Sequence, residues 1–278
     1  MNGIYICPTP IGNMEDITLR VLRTLKECDC IACEDTRHTA VLLQHFDIRK
    51  PLVSYHKFNE EAQAAALVQR ALMGQSIAVV SDAGMPGISD PGFTLVCAAR
   101  KAGVPVTVLP GANAAVCALV LSGLPCARFV FEGFLPAEGK ARRERIEHVM
   151  SLRDTAVLYE APHRLARTLD ELAAVDPYRE VAVCRELSKL HEECCVIKLG
   201  ESREFLQQHP PRGEYVLVIR GAEPKGPQGS LEEQLAGLLA QGVPRKEAVK
   251  TVAKANGVSK NEVYMLTVNA ESSGRDGQ

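Results

Sequence analysis

The 278-residue chain contains no Gly-x-Gly triplet, no excess of charge of either sign and no apolar run that escapes interruption by proline or glycine. The missing triplet excludes the dinucleotide fingerprint, whose glycines let backbone approach a pyrophosphate. Gly87 and Gly92 have the spacing of a phosphate-binding loop, yet Phe93 stands where that loop requires Lys. Lys and Arg total 32 against 34 Asp and Glu, a formal charge of −2. Any nucleic-acid surface is therefore local rather than global.

The longest uncharged stretch, Ala102 to Ala127, has the length of a bilayer span. Pro105, Pro110, Gly111, Gly123 and Pro125 divide it into pieces too short to cross. The first residues lack the basic segment, apolar core and cleavage site of a secretory leader, which predicts a cytoplasmic protein. With 46% hydrophobic and 24% charged residues, disorder, a collagen-like chain and a small disulfide scaffold are excluded.

Ten cysteines are present, and in a cytoplasmic chain they are expected to be reduced thiols that pack as small hydrophobes. Cys30 and Cys33 have redox-pair spacing, and Cys28 extends the cluster. These residues read as a strand, however, not as the turn that opens a helix in redox proteins. No second Cys/His pair sits at zinc spacing, so no metal site is expected.

Apolar runs alternate with helical patterns, the signature of an α/β protein. Strands are predicted at 3–7, 28–33, 76–81 and 104–109, with helices at 18–27, 60–73, 93–101 and 112–121. These make a first domain over 1–125. A second, over 126–222, carries strands at 128–134, 155–159, 180–187, 193–199 and 214–219, the last three close enough for antiparallel hairpins in a mixed sheet. A Gly/Pro-rich linker at 223–230, a module of three short helices at 231–268 and a disordered tail at 269–278 follow.

Function in α/β proteins collects in the loops beyond the carboxyl ends of strands. Four such loops stand out. Pro8 to Asn13 is stiff at its start and tight at Gly12. Asp82 to Gly92 holds three Gly, two Pro and a carboxylate placed to meet ribose hydroxyls. With no phosphate cradle, a phosphate-free nucleoside such as S-adenosylmethionine fits that loop best. Pro110 to Ala114 leads into a helix of small residues that suits either a flat ligand or simple packing. Cys33 to His38 gathers acid, acid, hydroxyl, cation and imidazole, the best acid/base candidate, although Asp35 or Thr36 also suits a helix cap.

At these loops the chain resembles the tetrapyrrole-methylase-like methyltransferases and, within them, the group acting on small-subunit ribosomal RNA. The resemblance rests on Pro8 to Asn13 with Glu15 to Arg20, Glu34 to Arg37, Ser54 to His56, Ser81 to Gly92, Phe131 to Pro136, Tyr159 to Arg164 and Arg185 to Glu193. It extends from Gly3 to about Ile219 and on into the C-terminal segment. Two α/β domains enclosing S-adenosylmethionine, a homodimer, and methylation of a cytidine ribose 2′-hydroxyl are what it implies. Matched residue by residue, it implies donor contacts at Ile11, Asp82, Met85, Asn113, Ala114, Tyr159, Glu160 and Leu187. Two departures, Ala112-Asn113 for the usual Pro-Ser and Cys33 for Ala, touch only the fine shape of that pocket.

For the chemistry, Glu34 or Asp35 is the expected proton acceptor, with His56 as the alternative and Arg37 on a neighbouring phosphate. RNA contacts are expected from Lys189 and from Lys140, Arg142, Arg143 and Arg145, four cations against the single acid Glu144. In the C-terminal module, Arg245, Lys246, Lys250, Lys254 and Lys260 outnumber Glu247 and Glu262, in a pattern similar to a helix-turn-helix. A tetrapyrrole or protein acceptor, or an RNA-binding protein without activity, are the competing readings.

Overall fold

Buried strands flanked by amphipathic helices organise the computed structural model, which describes residues 2–223 and 229–273. The first sheet holds β1 (Gly3–Ile6), β2 (Cys30–Cys33), β3 (Leu52–Ser54), β4 (Ser76–Val80) and β5 (Val106–Val108), in the order β3-β2-β4-β1-β5. Every pairing is parallel, so all the loops leaving the carboxyl ends emerge along one edge. The helices are α1 (Leu19–Glu27), α2 (Thr36–His45), α3 (Glu60–Leu72), α4 (Phe93–Lys101) and α5 (Ala114–Leu121). Leu67 and Leu95 of α3 and α4 bury against one face, and Leu25 and Leu43 of α1 and α2 against the other.

The second sheet holds β6 (Phe129–Phe134), β7 (Thr155–Glu160), β8 (Glu180–Arg185), β9 (Glu193–Lys198) and β10 (Tyr215–Ile219), in the order β6-β7-β10-β8-β9. Only β6 and β7 are parallel, the mixed sheet that the closely spaced late strands predict. Its helices are α6 (Gly139–Ser151), α7 (Pro162–Val175) and α8 (Ser202–Gln208). The small-residue helix α5 lies on this second sheet: Ala115, Ala118 and Leu119 pack with Val157, Ala182, Cys184 and Val218. Both sheets thus belong to one compact unit, Met1–Gly221. Close helix–sheet approach explains the alanines, since each lets backbone come nearer than Leu would.

The second unit, Ala222–Gln278, contains α9 (Leu231–Ala240), α10 (Arg245–Asn256) and α11 (Lys260–Ser273) around Leu235, Val249, Val252 and Val263. Ser230 and Glu233 close a capping box at its first helix, and Gly257 ends α10 in the left-handed region. Residues 224–228 of the expected linker lie outside the described residues. The expected tail is corrected: 269–273 continue α11, while 274–278 lie outside the description.

The sequence reading misses α2, β3, α6, α7 and α8. In α2 the polar Thr39 shares the buried face with Leu42 and Leu43 and blurs the apolar period, while β3 is a three-residue edge strand. Cys30 and Cys33 lie on a fully buried strand, and burial pushes both thiols above the ordinary range. That environment suits packing rather than redox exchange. Among the described residues no helix is long and apolar enough to cross a membrane, and no group of three His, Cys, Asp or Glu could hold a metal ion.

Candidate active site

The loops after β1 and β4 are tied into one structure. The backbone N–H groups of Thr9 and Gly84 donate to each other's carbonyls at 2.9 and 3.0 Å, and Thr9 Oγ1 donates to the Ser81 carbonyl at 3.0 Å. Pro8 seats against Gly111, where a Cβ would come within 2.7 Å of its ring. Asn113 caps α5, its Oδ1 accepting from Val116 N at 3.1 Å. The Pro/Gly content of these loops therefore buys close backbone packing, not flexibility.

Behind these loops a cleft of about 350 Å³ opens between the two sheets. Ile11, Met85, Asn113, Ala114, Tyr159, Glu160 and Leu187 all line it, so these seven sequence-predicted donor contacts come together in one place. Met85, Phe134 and Leu187 provide apolar walls and Asp90 and Glu214 bring carboxylates, while among the described residues no Lys, Arg or His lines it. A phosphate would find no cationic side chain on that lining, whereas the cationic sulfonium and ammonium of S-adenosylmethionine would meet the unpaired Asp90 carboxylate. The donor set fits that molecule on chemistry as well as on size.

Asp82 departs from expectation. It faces a second cavity of about 510 Å³, with Thr9, His38, Thr39 and Lys189, which shares Ile11, Ala83 and Glu214 with the first. Its Oδ1 accepts from Asp35 N at 3.2 Å, joining the loop after β4 to that after β2. Glu160 lines the cleft, but its carboxylate turns inward: it accepts from Thr168 Oγ1 at 2.5 Å and Ala161 N at 2.9 Å, with Arg164 3.3 Å away. This side chain holds the end of β7 in place.

Of the four expected catalytic residues, Asp35 is corrected. It caps α2, accepting from Arg37 N at 2.8 Å, and Arg37 grips both its oxygens at 3.1 and 2.7 Å. These bonds hold its carboxyl far below the usual range, which makes it a poor proton acceptor at neutral pH. Glu34 differs. Half-buried beside Asp82, it is raised by desolvation and by that neighbouring charge, with His56 opposing. His56 donates its backbone N–H to Asn59 Oδ1 at 2.8 Å, and its buried Nδ1 has no hydrogen-bond partner among the described residues.

Sequence reasoning passed over Asp90 as a titrating group. It sits half-buried in the wall of the cleft, and desolvation, then Glu34 and Asp82, push it up to about 6. Its place inside the Ser81 to Gly92 loop was legible; the convergence of three carboxylates from two strand ends was not.

The expected RNA contacts divide. Arg142 is 1% exposed, bonded to Glu171 at 2.6 Å, Thr168 at 2.7 Å and the Pro136 carbonyl at 3.0 Å, so it is a buried structural cation and not an RNA ligand. Lys189 is corrected too: its Nζ bonds Glu186 at 2.9 Å and Glu214 at 3.1 Å while its stem fills the space beside Gly12. Lys140 and Arg143 are exposed, and the half-exposed Arg145 pairs with Glu132 at 2.7 Å.

Against known proteins, residues 3–202 match the family model "Tetrapyrrole (Corrin/Porphyrin) Methylases". A relative from Halalkalibacterium halodurans, called "Ribosomal RNA small subunit methyltransferase I", is 46% identical over 270 residues, covering 95% of this chain and 93% of its own. A Synechocystis sp. protein of the same name is 41% identical over 279 residues, covering 99% and 100%. Among solved structures, diphthine synthase superposes with a TM-score of 0.61 at 16% identity, over 78% of this chain and 89% of that one. Uroporphyrin-III C-methyl transferase from Thermus thermophilus complexed with S-adenyl homocysteine superposes with a TM-score of 0.55 at 21% identity, over 78% and 97%.

Proposed function

The chain belongs to the tetrapyrrole (corrin/porphyrin) methylase family, and from that premise we propose that it transfers a methyl group from S-adenosylmethionine to small-subunit ribosomal RNA, at the ribose 2′-hydroxyl of a cytidine. The observation that carries the reading is the cleft that bears the unpaired Asp90 and, among the described residues, no cationic lining side chain, beside a second cavity in a chain whose full-length relatives bear that ribosomal RNA name. Bound S-adenosylmethionine supplies an electrophilic methyl on a positive sulfur. The chain supplies position: Ile11, Met85 and Leu187 exclude water from one side of the cleft, and the wall of Ile11, Ala83 and Glu214 shared by the two cavities is where donor and acceptor meet. Aligning nucleophile, carbon and leaving group accounts for much of such a displacement.

A ribose hydroxyl needs an acceptor for its proton. Asp90 lines the first cavity and Asp82 the second, Glu34 is near enough for its charge to act on Asp90, and this group of carboxylates supplies that acceptor. The exposed Arg143, and Lys140 with its 3.4 Å pairing to Glu144, support contacts to RNA phosphates, and the basic α10 and the start of α11 support a further docking surface. A ribosomal acceptor supports a cytoplasmic protein. The exposed apolar side chains Val116, Val120 and Leu121 on α5 support a homodimer, which light scattering on the purified protein would detect.

The test is methyl transfer from labelled S-adenosylmethionine to small ribosomal subunits lacking the modification, with the labelled nucleotide and atom mapped. Label on a cytidine 2′-oxygen is expected. Label on a base or on protein alone refutes the assignment.

A further inference from the structure

The carboxylates around the donor cleft differ in what already holds them. Asp35 is gripped by Arg37, Glu160 by Thr168 and Arg164, and Glu214 by Lys189 at 3.1 Å. Asp82 accepts from Asp35 N. Asp90 alone among the cleft-lining acids has neither a hydrogen bond nor an ion pair among the described residues.

The loop spends considerable structure to hold it there. Ser89, a non-glycine, takes a φ of 66° in the left-handed region just before Asp90. Gly92 is used where a Cβ would come within 2.8 Å of Gly87 N, and Gly87 N donates to the Pro91 carbonyl at 3.1 Å. From outside the loop, Glu60 accepts from Gly92 N at 3.1 Å and from Tyr55 Oη at 3.0 Å. A turn so heavily determined, ending on an unpaired acid in a ligand cleft, has the form of a preorganised reactive group.

We infer that Asp90 is the base that takes the acceptor's hydroxyl proton, with Glu34 and Asp82 as positioning residues that tune it. This rests on the methyl-transfer reading above. The acceptor oxygen forms a bond to the methyl carbon as the carbon–sulfur bond breaks. That bond's electron pair stays on sulfur as a neutral thioether, and the hydroxyl proton goes to the Asp90 carboxylate. One positive and one negative charge disappear together, so no further reagent is needed. The groups facing Asp90 are Glu34 beyond β2, Asp82 beyond β4 and Tyr159 on β7, and His56 faces Glu34 from beyond β3. A carboxylate titrating near 6 is both largely ionised at neutral pH and more basic than an ordinary one.

The experiment compares full-length wild type, Asp90→Asn and Glu34→Gln with unmodified small subunits under single turnover across pH, alongside S-adenosylhomocysteine affinity and carbon-13 titration of the aspartate carboxyls without donor. Wild type should show a rate limb and a carboxyl resonance with midpoints near 6. Asp90→Asn should lose both, slowing about 100-fold with analogue affinity changed less than threefold. Glu34→Gln should move the limb to lower pH, a shift that a merely structural role would not produce. Asp90→Asn retaining the wild-type rate, or losing analogue binding while keeping the rate at saturation, overturns the assignment of the base. Wild type transferring no label to the subunit overturns the reading beneath it, whatever the Asp90 resonance does.

Discussion

The loop after β2 and the loop after β4 each present two acids in the sequence, Glu34 with Asp35 and Asp82 with Asp90, yet the structure treats the two loops in opposite ways. In the first, the denser cluster, Asp35 is consumed as a helix cap and by the fork of Arg37. In the second, Asp90 reaches the cleft between the sheets with no partner among the described residues. Crowding of titratable groups along the chain thus says less about reactivity than the partners each group finds after folding.

The same distinction divides α6. Arg142 and Arg143 are neighbours in a basic run, but only Arg142 is buried and bonded to Glu171. Arg142→Ala should therefore cost the most, about 3 kcal/mol, by emptying a buried site and removing the bonds to Glu171, Thr168 and the Pro136 carbonyl, although Glu171 keeps Arg167 at 2.9 Å and Thr168 keeps Glu160. Chemical denaturation of the two single variants checks this, and Arg143→Ala should unfold with wild type.

Asp90 should reveal itself by a gain. Its folded value is raised from 3.8 to about 6, so the native state binds more protons than the unfolded one between those values. Its penalty on stability is absent below pH 4, grows as pH rises and is complete above 6. Asp90→Asn should accordingly stabilise the protein by as much as about 2 kcal/mol at pH 7.5, with no gain at pH 3.5. A loss of stability at pH 7.5 would mean that the carboxylate has a partner.

Asp35→Ala should move the other way. Removing the cap of α2 destabilises the helix, and because the folded carboxyl is depressed, the loss should be present near neutrality and fade as pH falls below the unfolded value. Thermal melts at pH 7.5 and 3 measure it. The smallest effect is Arg143→Ala on subunit binding: the salt dependence should flatten by roughly one counterion with little change in stability.

Much of this framework is legible before folding. The strand ends that carry the loops, the mixed second sheet and the three C-terminal helices follow from local apolar runs. The resemblance names Ile11, Met85, Asn113 and Leu187, and they share one cleft because their loops leave the facing edges of two sheets. The fate of individual charges was not legible. That Arg142 is buried depends on Glu171 and Thr168 from another helix, and that Lys189 is occupied depends on Glu214 and on the absence of a side chain at Gly12. Asp90 escaped notice because its neighbours Glu34 and Tyr159 lie far away in sequence.

The central claim, a phosphate-free donor held between the two sheets, is tested most directly by calorimetric titration of S-adenosylhomocysteine into wild type and into Ala114→Trp, whose side chain would fill the cleft. One equivalent bound by wild type and none by the folded variant is the expected result. Equal binding by both, or none by wild type, would place the donor elsewhere and contradict it.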